Sequence, residues 1–388
     1  MRIDQTKLLP GVAAALLSLS LPAQALSLGK MGETDVWLNG YVKFDTIISD
    51  YSDGALSAGN LGRDFYVPSL TPVGGVSESQ TVDMHARQTR FALKTSTDVN
   101  GSKLGTYIEM DFMATPNGDE RISNSYSPRL RHAFITYDGW LFGQTWSTFM
   151  NVGALPETLD FIGSTDATIF VRQSQIRYTS GGFQIAFENP ETTVTPYTGG
   201  GRIVTDDNST PDVVLRYDFK SDNFSFAAAA LIRQLAYNDG AAIDTTETST
   251  GISLSGKYSF GSDDIRFVVN SGSGLGRYIG LNVANGAVLD ANNELNAIDS
   301  TAWFIGYHHQ WNDKWRSNFT YSTIEIDNDT ALTGTAVTSN TNSAHINFIY
   351  SVTPALSVGF ELAHANRELE SNADGSMDRF QFSAKLGF

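Results

Sequence analysis

The chain of 388 residues contains no cysteine, so no disulfide framework holds it. It has only 11 prolines, so extended segments can run long without losing ladder donors. Past the N-terminus no apolar run approaches the ~20 residues of a spanning helix; the longest is FAAAALI, from Phe226 to Ile232. Any membrane role therefore requires strands that close on themselves. Positive charge is also scarce: 26 Lys and Arg stand against 42 Asp and Glu, a formal net charge of -16. Nucleic acid is not an expected partner. Mean hydropathy is -0.18, a polar average that suits a barrel, where only every second strand residue meets lipid.

What is present starts with a leader. Arg2 and Lys7 precede LLPGVAAALLSLSLP, which gives way to Ala23-Gln24-Ala25, the pattern of a secretory signal peptide and its cleavage site. The expectation is a signal peptide over 1–25 and one domain over 26–388. Within that domain period-2 segments of about ten residues recur, one face apolar and aromatic, the other rich in Arg, Lys, Gln, Asn, Ser and Asp. Short and long gaps alternate between them. RLRHAFITY, from Arg129, turns at Asp138-Gly139 into WLFGQTW, and VRQSQIRYT turns at Ser180-Gly181-Gly182 into FQIAFEN. About 16 strands run from VWLNGYVKFDTI, at Val36, to the terminal RFQFSAKLGF. This rhythm predicts an all-β fold, a transmembrane antiparallel up-and-down barrel with long extracellular loops and short periplasmic turns. A soluble sandwich or propeller would not need every second connection to be long.

The last strand alternates to its final residue, with Phe380, Phe382, Ala384, Leu386 and Phe388 on one face and Arg379, Gln381, Ser383 and Lys385 on the other. A barrel must pair its last strand with its first to abolish edges. An alternating strand that ends in Phe also resembles the signal read by the barrel-assembly machinery, with Phe380, Phe382 and Phe388 as its expected elements. The expected location is the outer membrane of a Gram-negative bacterium, among lipid and lipopolysaccharide.

Two features bear on function. The third outer loop, STFMNVGALPETLDFIGSTDATIF from Ser147 to Phe170, is too apolar to stay solvated. It is expected to fold into the barrel and narrow it, with Glu157, Asp160 and Asp166 as its charges, the alternatives being a lid over the mouth or a contact between protomers. Face parity then places Arg90, Arg129, Arg131, Arg177, Arg216, Arg266 and Arg316 on the lumen side, with Lys43, Lys94, Lys257 and Lys385. Fewer acids oppose them, chiefly Asp45, Glu109, Asp111, Asp218 and Glu361. A net basic wall inside an acidic protein favours small anionic solutes, although each Arg can equally well serve to pair a neighbouring acid.

The block RLRHAFITYDGWLFGQTWSTFMNVGALPETLDFIGSTDATIFVRQSQIRYT, Arg129 to Thr179, together with the C-terminal strand, resembles the DcaP-like outer-membrane porins. The resemblance implies a homotrimer of 16-stranded channels that takes up small anionic organic molecules, notably dicarboxylates. The best-known members carry an N-terminal coiled coil; here only LSLGKMGETD precedes the first strand, so a trimer would rest on barrel walls.

Enzymatic signals are weak. The six histidines, His85, His132, His308, His309, His345 and His364, form no metal spacing, and no Ser lies in G-x-S-x-G. No cofactor, metal or catalytic residue is expected. The remaining alternatives are a lipase-like barrel enzyme and an adhesin or receptor acting through its loops.

Overall fold

Aromatic and branched side chains on alternate positions fit a pleated, half-exposed surface, and the segments that carry them pair antiparallel around a ring. The computed structural model describes residues 25–115 and 118–388, so the expected leader lies outside the described residues except for Ala25. The barrel comprises β1 (Thr34–Tyr51), β2 (Ser79–His85 continued by Arg90–Val99), β3 (Ser102–Asp111), β4 (Arg129–Tyr137), β5 (Trp140–Trp146), β6 (Arg172–Ser180), β7 (Phe183–Glu188), β8 (Asp212–Lys220), β9 (Phe224–Asn238), β10 (Asp244–Phe260), β11 (Asp263–Ser273), β12 (Asp299–Gln310), β13 (Trp315–Asp327), β14 (Thr338–Ser351), β15 (Leu356–Leu369) and β16 (Asp374–Gly387). Neighbours pair in sequence order, and β1 pairs with β16 to close the 16-stranded sheet.

The alternation reads as the sequence requires. Val42 and Phe44 are 48% and 41% exposed on the outer face, while Lys43 and Asp45 between them are 5% and 0% exposed. At the turn Asp138-Gly139 both residues have positive φ, +47° and +84°, the type I′ geometry that suits a twisted hairpin.

The seam is closed by the last residue. The Gly40 N–H donates to the Phe388 carbonyl and the Phe388 N–H donates back to Gly40, both at 3.0 Å. Gly40 is required there, because a Cβ would stand 2.2 Å from the Arg90 carbonyl oxygen. Below the seam, LSLGKMGETD is not a bare tail. Leu26–Met31 forms a strand that pairs with β1 between Thr34 and Leu38, on the stretch of edge that β16 leaves free.

Strand β2 is not continuous. It starts at Ser79 and is interrupted over residues 86–89. There Arg87 turns to Asp64, Nη1 to Oδ2 at 2.5 Å, Gln88 accepts from Lys43 Nζ at 3.0 Å, and the Thr89 hydroxyl replaces a backbone partner for the Lys43 N–H. Side-chain bonding outcompetes the ladder at this point.

Inside the barrel, the third outer loop (147–171) and the sixth (274–298) bury Phe149, Met150, Leu155, Leu275, Tyr278 and Ile279 against Val214, Leu231, Val268, Phe304 and Ile324 of the wall. A four-stranded sheet from the fourth and sixth loops lies with them: Thr192–Thr195, Ile203–Thr205, Ala287–Leu289 and Leu295–Ala297. Apolar packing thus fills the lumen beside β8–β13. The wall of β2–β6 carries charge instead.

Candidate functional site

The charged wall is organised by one irregularity. Pairing of β3 with β4 slips between Glu109↔His132 and Met110↔Leu130, which leaves Arg131 as an extra residue. Such a bulge re-aims side chains, and Arg131 and His132, though consecutive, are both buried on the inner side. Arg131 donates from Nε to Glu109 at 2.6 Å and from Nη1 to Asp111 at 2.9 Å. Arg129 grips Asp111 through Nε and Nη2 at 2.9 and 3.0 Å, and Arg90 stands 3.5 Å from Glu109. Three guanidiniums therefore share two carboxylates.

A fourth joins them. Arg172, at the start of β6, lies 4.7 Å over the Trp146 ring and 5.7 Å from that of Phe170. Arg131 is 5.6 Å from the same Trp146 ring, and both Arg129 and Arg131 face Phe161 of the third loop, at 5.9 and 5.6 Å. Face parity misses Arg172 because it shares its alternation with Ile176 and Tyr178, which point to lipid. The one available signal was its place as the first residue after an inward-folding loop.

Toward the periplasmic end, rings again hold the cations. Lys385 and Arg90 lie 4.4 and 5.1 Å over Tyr41, and Lys94 is 5.5 Å over Trp37. An aromatic face holds an ammonium without cancelling its charge. Among the described residues, no carboxylate pairs with Lys94, Lys385 or Arg172.

Most of the remaining predicted cations fasten the third loop, while Lys257 pairs with Asp264 at 3.2 Å. Arg216 donates to the Met150 carbonyl at 2.5 Å and pairs with Asp218 at 2.6 Å; Arg266 bonds the Leu155 carbonyl and pairs with Asp264 at 2.6 Å. Arg316 takes Glu157 in a two-point grip, 2.7 Å on each arm. Arg177 reaches only Thr148, at 3.5 Å. The loop's own acids are turned inward on the same task. Asp160 accepts from the Ile162, Gly163 and Tyr66 N–H groups at 3.0, 3.0 and 2.8 Å. Asp166 accepts from Tyr66, Thr341 and Ser343 hydroxyls at 2.7, 2.6 and 2.5 Å. Phe380 and Phe382 face outward on β16, exposed, and Phe388 packs near Phe91 with ring centres 6.1 Å apart.

Sequence reasoning missed three inward acids. Asp264 sits at the first turn of β11, while Glu188 and Asp212 face each other across β7 and β8 and both accept from the Tyr278 hydroxyl, at 3.3 and 2.9 Å. They narrow the basic excess on the β7–β13 side and leave that of β1–β6 in place. Among the described residues no group of three or more His, Asp or Glu is arranged to hold a metal ion.

Two loop acids titrate in opposite senses. Burial alone would push the Glu157 carboxyl up, but the hydrogen bonds and charge of Arg316 outweigh it and hold it below the ordinary carboxylate value. Burial pushes Asp166 up, and its three hydroxyl donors offset this only in part. A depressed carboxyl stabilises the seated loop above its unfolded pKa and loses that contribution as pH falls through the folded value. The loop should accordingly stay seated at pH 5 and loosen only as the pH falls through and below the ordinary carboxylate range, while Asp166 takes up its proton at a higher pH than an ordinary aspartate would. Single-channel noise recorded from pH 7 to pH 3 checks this; the Glu157→Gln channel should show no such acid step.

The DcaP outer membrane protein family matches this chain over residues 50–388. Among solved structures, the outer membrane channel DcaP of Acinetobacter baumannii superposes with a TM-score of 0.78 at 22% identity, covering 94% of this chain and 100% of that one. A trimer form of OmpT from Vibrio cholerae gives 0.55 at 12%, covering 92% and 100%. An anion-selective porin from Comamonas acidovorans gives 0.55 at 11%, with the same coverage of each chain. No curated protein matches.

Proposed function

Since the chain belongs to the DcaP outer membrane protein family and is an outer-membrane channel, we propose that it passes small anionic organic solutes, dicarboxylates among them, by passive diffusion. The observation that carries this reading is the excess of cations over carboxylates, among the described residues, on the wall that runs from β16 through β1 to β6. Arg172, Lys385 and Lys94 are held by rings, and Arg90, Arg129 and Arg131 outnumber Glu109 and Asp111. A lumen with low-dielectric walls focuses such charge and raises the local concentration of anions. The acids of the third loop oppose it little, because their oxygens are engaged by the wall and by the loop's own backbone.

Proteoliposome swelling tests the reading with solutes of matched size. Succinate should enter faster than a neutral diol, and a diammonium slowest; equal rates for all three would refute anion preference.

A homotrimer is proposed to form through β1–β3. Tyr217, Phe219, Tyr258, Phe260 and Trp315 are exposed on the outer surface, as an interfacial aromatic belt requires. On β2 and β3 the belt gives way to Leu93, Leu104 and Ile108 and to a Thr95–Thr106 hydroxyl pair at 2.7 Å. Light scattering of the protein in detergent should give the mass of three chains, and a monomer mass would remove the proposal.

A further inference from the structure

We infer that Arg172 is the residue that binds the carboxylate of the passing solute, a specificity contact within the channel; this rests on the anion-channel reading above. The neighbouring guanidiniums are not equivalent to it. Arg129 and Arg131 each spend two donors on Glu109 and Asp111, so a solute must compete with a wall carboxylate already seated. The Arg172 guanidinium has no hydrogen bond and no ion pair among the described residues, and its Nη1 is buried without an acceptor. A buried donor of this kind costs free energy until an acceptor arrives.

Its mounting keeps that donor available. The guanidinium lies against the Trp146 and Phe170 rings, which accept no in-plane hydrogen bond. Trp146 and Phe170 are themselves in contact at 4.6 Å, and Phe170 packs on Phe161 at 5.5 Å. A guanidinium with a free edge is the geometry that a carboxylate meets with two parallel bonds. The three rings give the rest of such a solute an apolar surface. The ligand class is therefore an organic carboxylate with an apolar body, in preference to chloride or phosphate. Arg131 beside the same indole adds positive charge at the position and favours a negative guest.

The test is block of the chloride current by hexanoate, recorded on single channels of wild type, Arg172→Gln and Arg172→Lys, with folding of each checked by heat-modifiable migration on gels. In Arg172→Gln the blocking concentration should rise by about tenfold or more, with Arg172→Lys between the two, because an ammonium supplies charge without the fork. The reversal potential in plain salt should shift only part of the way toward the cation side, since Lys94, Lys385 and Arg90 remain. An anion-selective wild type that hexanoate does not block, or an Arg172→Gln channel blocked as well as wild type, would overturn the assignment and leave the wider reading standing. A wild type without anion preference would remove both.

Discussion

A Glu361→Ala channel is expected to conduct at least twice as well as wild type and to flicker. The Glu361 carboxylate is almost fully buried and accepts from the Leu159 and Asp160 N–H groups at 2.7 and 3.0 Å, from Asn347 Nδ2 at 2.9 Å and from His345 Nδ1 at 3.2 Å. It is the point where β15 holds the tip of the third loop. Its removal orphans two backbone donors, at about 1–3 kcal/mol each, and breaks a buried charged network whose loss typically costs about 3–5 kcal/mol. The barrel ladder does not depend on it, so the loop should leave the wall while the folded band on gels persists. Unchanged conductance in a folded Glu361→Ala barrel would show that apolar packing and the remaining wall contacts seat the loop without Glu361.

Reversal of the unpaired cations should act on selectivity rather than on size. In Lys94→Glu with Lys385→Glu, two charges that only Trp37 and Tyr41 hold become acids on the same wall. The anion-to-cation permeability ratio should fall by about tenfold or more, the lower end of what focused fields produce. The effect should shrink between 0.1 M and 1 M salt, as screening shortens from about 10 to 3 Å. A ratio that does not move would mean that ions pass elsewhere than along β1, β2 and β16. Among the described residues neither lysine has a hydrogen bond or ion pair to the third loop, although Lys385 feels the charge of Glu157, so conductance should change far less than in Glu361→Ala.

The wall was legible in the sequence because lipid imposes its period: outward Val42 and Phe44 against inward Lys43 and Asp45 follow from alternation alone. Asp138-Gly139 announced its turn by residue type. The third loop was legible for a different reason, since Phe149, Met150 and Leu155 had to be buried somewhere. What could not be read depends on partners distant in the chain. Arg87 leaves β2 because Asp64 in the first loop draws it away. Arg131 and His132 share a face only because β4 carries one residue more than β3 pairs. Arg172 faces inward against its parity, since the two rings that hold it are Trp146 and Phe170 at the two ends of the third loop. Glu188 and Asp212, by contrast, share the inward alternation of Ala186 and Arg216 and were readable as inner acids at their strand ends. Leaving out the acids at strand ends overstates the basic excess on one half of the barrel, and alternation misses a member of it, Arg172, on the other.

Single-channel recording of the wild-type protein in a planar bilayer, under a tenfold salt gradient, bears most directly on anion passage along the β1–β6 wall. A reversal potential on the anion side, with current reduced by added succinate, is the expected result. A reversal potential on the cation side would mean that the loop acids Glu157, Asp160 and Asp166 govern the passage rather than Arg172, Lys385 and Lys94, and would contradict it.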